Sequence, residues 1–208
     1  AEPHAAPQLK PARFGEPAAS PPPGPPSRRP IGSAPARRGD ACNLRPLAPA
    51  DRAIARAALA APGIRAAALP WPGLPPAGHI DEIAEAYRRA DEGLLIAIDD
   101  ARGAHVGLAA LRIDRAHERA DFACLAAPGN PDPTHHAAPP LIDIAFQDLG
   151  LKRLTASATS PDAARTLEAV GFRHEATLKS HARIDGEYRD VRAFGLLREE
   201  SAAIPQQS

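Results

Sequence analysis

The order of segments in the last third of the chain limits the fold more than anything else in the sequence. An apolar, helix-like stretch, LIDIAFQDLG (141–150), runs into the short strand-like segment KRLTASATS (152–160). TLEAVGF (166–172) follows, its Gly-Phe closing a second helix. Then comes RHEATLKSHARIDGEYRDVRAFGLLREE (173–200), two long runs either side of Asp185-Gly186. Asp-Gly between two such runs is a hairpin signal, because the tight turn needs positive φ. Helix, strand, helix, hairpin in that order is a specific architectural signature.

The upstream half reads as further elements of the same sheet. Asp51 can cap a helix with Ile54, Ala57, Ala58 and Ala61 at helical spacing, stopped by Pro62-Gly63. A second helix is expected over 81–90, with Ile83, Ala84 and Tyr87 on one face and Gly93 ending it. Leu94 to Ile98 then read as a buried strand, residues 101–103 as a turn, and 106–113 as its antiparallel partner. His117 and Glu118 mark the next reversal. Phe122, Cys124 and Ala126 alternate in a fourth strand.

Residues 1–40 are different material: they hold 11 of the 25 prolines, PPPGPP (21–26) among them, with arginines scattered among Ala and Gly. Proline removes donors and favours extended backbone, so a solvated, partly polyproline-II tail is expected there, a globular domain over 41–200, and a short tail over 201–208. Glu2, Glu16 and the proline density fit a transit peptide poorly. The chain opens on Ala and contains no Met, so the native N-terminus is expected to lie elsewhere. Lys+Arg and Asp+Glu number 25 each in 208 residues, a balance that gives no reason to expect a nucleic-acid or membrane partner. Cys42 and Cys124, the only two cysteines, form no spaced framework. They suit a reducing, cytoplasmic setting and no zinc pattern.

Taken with CNLRPLAPAD (42–51), Trp71-Pro72, GLLIAIDD (93–100) and AHVGLAALRIDRAHERADFACLA (104–126), the C-terminal order resembles the GNAT superfamily of acetyl-CoA-dependent N-acetyltransferases, in particular the RimJ/RimL type. The resemblance implies an α/β (α+β) GNAT fold, with a central mixed, mostly antiparallel twisted sheet flanked by helices. It implies acetyl-CoA as co-substrate and, as acceptor, a protein N-terminus or a small primary amine that attacks the thioester directly. It also leaves a homodimer open.

In that family the pantetheine arm lies along the fourth strand and the diphosphate sits on a Gly-rich loop at a helix N-terminus. Glycine permits close approach there, and the N–H groups and helix dipole attract the anion. Carried over, the cofactor positions are Cys124, Leu125 and Ala126 on the strand, Gly129, Asn130, Asp132 and Thr134 in the loop, and Ser160 at the next helix, with a backbone N–H near Leu125 as oxyanion donor. Asp121 is the candidate general base or water-holder, its alternative being a strand carboxylate paired with Arg119. Trp71 and Tyr188 are candidate acceptor contacts.

The loop departs from the family pattern. APGNPDPTHHAAPP (127–140) has one glycine, no basic residue and two adjacent prolines at its end. Proline inside a helix loses a backbone bond and clashes, at about 3 kcal/mol, so the helix is expected to start no earlier than about Ala137. Thr155, Ser160, Ala163 and Phe194 stand where the family often has Glu, Asn, Ser and Tyr. His135-His136 lack a third ligand at recognisable spacing, and no metal is expected. The departures keep open two alternatives: a GNAT-fold interaction protein that no longer binds acetyl-CoA, and a different acyl-transfer or ligand-binding activity in the same cleft, for a ligand without a diphosphate.

Overall fold

The computed structural model describes residues 37–38, 41–60, 93–184 and 186–201. In chain order these form β1 (Arg37–Arg38), β2 (Cys42–Pro46), a 3-10 turn (Pro49–Asp51), α1 (Arg52–Ala60), β3 (Gly93–Asp100), β4 (His105–Asp114) and β5 (Arg119–Ala126). Then follow α2 (Thr134–Asp143), a π-helical turn (Ile144–Asp148), β6 (Arg153–Ala158), α3 (Pro161–Ala169), β7 (Arg173–Ile184), β8 (Glu187–Leu197) and α4 (Arg198–Ser201). One sheet joins the eight strands in the order β1-β2-β3-β4-β5-β6-β8-β7. Every pairing is antiparallel except β5 with β6. The expected mixed, mostly antiparallel sheet is thus the observed one. β1 lies within the stretch read from sequence as tail. Trp71 and the helix expected over 81–90 fall outside the described residues.

Strand alternation sends successive side chains to opposite faces. On one face Ile96, Leu111, Ile113, Ala120, Phe122, Leu154 and Phe194 form a continuous core with Ala137, Leu141, Ile142 and Phe146 of the α2 segment and Leu167 of α3. Phe122 and Phe172 meet with ring centroids 5.1 Å apart. The other face buries Leu108, Ala110 and Leu125, and α1 packs against β4 and β5. Asp51, just before α1, and Ala55 and Ala58 within it are buried, whereas Ile54 and Ala57 are exposed. The expected apolar stripe is therefore rotated. The cause is Asp51, whose carboxylate is drawn inward by Arg45 at 2.6 and 2.9 Å and by the Ala48 N–H at 2.7 Å. Arg45 also holds Asp99 of β3 at 2.6 and 3.0 Å, so one guanidinium ties β2, β3 and the start of α1 together.

α2 begins at Thr134, not near Ala137, and carries Pro139 and Pro140 inside it. Each proline lacks the N–H that would bond four residues back, which frees the carbonyls of His135 and His136. Those two residues are exposed. The His136 carbonyl takes the buried Cys42 thiol as a replacement donor, at 3.2 Å. Burial raises the Cys42 pKa, so the group stays a thiol and keeps its proton to donate. Apolar burial along Ala137, Ala138, Leu141 and Ile142 then outweighs the proline penalty. Among the described residues no helix is long and apolar enough to cross a membrane.

Candidate active site

β5 and β6 share only three pairs, Arg119 with Arg153, Ala120 with Leu154 and Asp121 with Thr155. β5 nevertheless goes on pairing with β4 as far as Ala126, and β6 with β8 as far as Ala158. A gap therefore opens in mid-sheet from Phe122 onward. Ala127 donates its N–H to Val106 on the β4 side, at 2.8 Å. By antiparallel alternation Leu125 also turns its N–H to β4, and the backbone groups of Phe122, Cys124 and Ala126 face the gap. A Cβ built on Gly107 would lie 2.3 Å from the Leu125 carbonyl oxygen, which places that carbonyl against β4 as well. Of the backbone N–H groups near Leu125, those that face the gap are therefore the ones on either side of it, of Cys124 and Ala126.

The far end of β5 runs into a tight turn. Asn130 donates its N–H to the Ala127 carbonyl at 3.0 Å, and Gly129 sits at φ 81°. Pro128 at the second position and Gly129 at the third give a type II turn, and the positive φ is why glycine is required. The Asn130 side chain folds back toward the Pro128 carbonyl, at 3.4 Å. Asp132 then accepts both the backbone N–H of Thr134, at 2.9 Å, and its hydroxyl, at 2.6 Å. Thr134 is buried. A carboxylate thus sits at the N-terminus of α2, where the helix dipole draws an anion. Burial first, and then the Asp132 charge, push the Cys124 thiol well above its ordinary value, leaving it a neutral side chain beside the loop.

The base of the gap is polar. Asp121 receives Arg112 on Oδ2, at 2.8 Å from Nε and 2.5 Å from Nη2, and the Thr155 hydroxyl on Oδ1, at 2.5 Å. Arg119, its expected partner, instead bonds Asp114 at 3.2 Å. The reason is register: Arg112 is the cross-strand neighbour of Asp121 and points to the same face. Thr155 neighbours Gly195 on β8, and over that glycine Arg153 pairs with Glu175. Arg112, Asp121, Thr155 and the Arg153–Glu175 pair form a row of alternating charge and hydroxyl on the α1 face where the strands part. Three donors occupy about three of the four lone-pair sites of the Asp121 carboxylate, leaving one.

Other sequence candidates lie around this centre. Ser160 caps α3 by accepting the Ala163 N–H at 3.2 Å. Tyr188 is 70% exposed on β8, beyond Arg192, the partner of the last β6 residue. His135 and His136 occupy the first turn of α2 with ring centroids 5.4 Å apart, and no group of residues placed to hold a metal exists among the described residues. Arg112 was findable, since a hairpin reversing at His117 sets it opposite Asp121. Thr155 already stands out as the position where the family often has Glu, but its bond to Asp121 and that of Glu175 to Arg153 are not legible in the sequence, because they are made through a parallel pairing and a bulged edge strand.

A sheet that splits between two parallel strands, with a helix starting at the end of one, defines the fold of the GCN5-related N-acetyltransferases, and this chain has that fold. Among solved structures it is similar to the spermidine N-acetyltransferase from Vibrio cholerae in complex with CoA and spermine. The two are 21% identical, with 77% of this chain and 98% of that one covered and a TM-score of 0.68. It is also similar to a GCN5-related N-acetyltransferase from Brucella melitensis, at 24% identity, 86% coverage of each chain and a TM-score of 0.62. No protein-family model and no curated protein matches the sequence.

The two ends of CoA fit this site unequally. The open edge of β5 offers amide and carbonyl groups to a pantetheine arm. The loop beyond it offers a carboxylate and no cation to the diphosphate: from Ala120 to Leu151 the chain has four aspartates and neither lysine nor arginine.

Proposed function

We propose that the protein transfers an acetyl group from a thioester to an amine, with the donor arm against β5 and the amine approaching over Asp121. The observation that carries this reading is the gap beyond the Asp121–Thr155 pair, along which the Cys124 and Ala126 N–H groups face the opening while a fixed carboxylate stands at its base. In this reading the β5 edge orients the arm and polarises the thioester carbonyl, contributing positioning and oxyanion stabilisation. The free lone pair of Asp121 accepts the amine N–H directly or through one water, and holds that proton as the amine nitrogen bonds to carbon. Arg112 and Thr155 keep the carboxylate in place. Acetyl-CoA is the donor implied by family resemblance, and the solved neighbour in complex with CoA and spermine makes a small polyamine the first acceptor to test, ahead of the protein N-termini of RimJ/RimL-type enzymes. Tyr188 and Ser160 are proposed contacts at the open end of the gap, for acceptor and donor respectively.

One observation favours a second reading. The Asp132 carboxylate at the start of α2 also suits a protein that kept the fold as an interaction module and lost thioester binding. Thiol release from thioesters, measured with spermidine, other small amines and short peptides, separates the two. Turnover that falls at least tenfold in kcat for Asp121→Asn supports the transferase. A folded protein that releases no thiol with any donor and acceptor supports the module.

A further inference from the structure

The misfit at the loop bears on the chemistry of the donor. We infer that the donor arm used by this protein ends without a diphosphate: the site is built for an acetyl thioester of an uncharged pantetheine-type thiol. This rests on the acetyl-transfer reading above. Three observations carry it. First, Asp132 spends its carboxylate on the Thr134 N–H and hydroxyl, so the N-terminal charge of α2 is already compensated from within the chain. Second, the stretch from Ala120 to Leu151 supplies no lysine or arginine to neutralise an incoming anion, and His135 and His136 are the only side chains in it able to become cationic. Third, the β5 edge that would hold the arm itself is intact, with pairing to β4 unbroken as far as Ala126. The arm is accommodated while the end group is opposed, and like charge at the start of α2 discriminates against it.

The transfer is balanced without the nucleotide. The amine nitrogen bonds to the thioester carbonyl carbon, the carbon–sulfur bond breaks, and the amine proton ends on the departing thiol. The products are an N-acetyl amine and free pantetheine-type thiol.

The test compares S-acetylpantetheine with acetyl-CoA on the full chain, by calorimetric binding and by kcat/KM with spermidine as probe amine, and repeats both with Asp132→Asn. Asparagine keeps a side-chain oxygen able to accept both bonds from Thr134, so this variant removes the charge and keeps the local fold. The expected result is that S-acetylpantetheine equals or exceeds acetyl-CoA, and that Asp132→Asn shifts the ratio about tenfold toward acetyl-CoA. A preference of the unaltered protein for acetyl-CoA overturns the donor inference and leaves acetyl transfer standing. Failure of both donors to bind or turn over at millimolar concentration overturns the acetyl-transfer reading itself.

Discussion

At the scale of single residues, Asp51 is the carboxylate whose charge the fold depends on. Arg45, and after it the Ala48 N–H, hold its pKa down to about 2, against an ordinary carboxylate value near 4. His105 packs beside it, with Nε2 donating to the Gly107 carbonyl at 2.8 Å and Nδ1 3.3 Å from Asp51 Oδ1. A depressed folded pKa means that the stabilisation is complete above about pH 4 and is lost as pH falls through the folded value. Its size is about 2 kcal/mol. Thermal denaturation followed from pH 5 to pH 2 is expected to show Tm falling across that window. Asp51→Asn should be less stable at pH 5 and should flatten the fall. The Thr155 hydroxyl is a second such residue: Thr155→Val removes a charge-assisted hydrogen bond from Asp121 and should cost about 1.5–3 kcal/mol in denaturant unfolding.

At the scale of elements, α2 shows how a helix survives two internal prolines. The gap that Pro140 leaves in the backbone ladder is filled from another element, by Cys42 of β2. Cys42→Ala removes the donor to a part-buried carbonyl and should destabilise by about 0.5–1.5 kcal/mol for the lost hydrogen bond. In a Pro140→Ala background the helix supplies its own donor, and the same change should cost less, a coupling readable in a double-mutant cycle. Gly107 is the corresponding point on the sheet. A methyl group there meets the Leu125 backbone, which cannot swing aside as a side-chain tip can. Gly107→Ala is expected to cost at least about 2 kcal/mol, and to weaken thioester binding by displacing β5 at the gap.

At the scale of the whole molecule, the sheet is two antiparallel halves, β1 to β5 and β6 to β8, sharing one short parallel seam. On the acetyl-transfer proposal, a ligand lying in the gap would make the hydrogen bonds that the strands do not make to each other. The amides of Cys124 and Ala126 are therefore expected to exchange quickly in the free protein and to slow when a thioester binds, while Ala123 and Leu125, bonded to β4, change little. Saturation at a hundred times the dissociation constant should add about 2.7 kcal/mol to stability. Hydrogen exchange resolved to single residues checks the alternation.

By itself the sequence determined which elements exist and in what order. The β3–β4–β5 meander, β6, α3 and the β7–β8 hairpin at Gly186 follow from period-2 runs, turn residues and caps, all of which act over a few neighbouring positions. That is also why the fold could be read from the order of the C-terminal segments. What the tertiary structure alone decided lies where residues distant in the chain meet. α2 starts at Thr134 because apolar burial and a thiol from β2 compensate its prolines, and the stripe of α1 is turned by Arg45. Asp121 pairs with Arg112 and Thr155 instead of Arg119 because strand register sets which side chains share a face. The gap itself is a place where pairing stops after three residues. Local sequence fixes the propensity to extend, but whether two strands stay together depends on the packing of everything on either side of them.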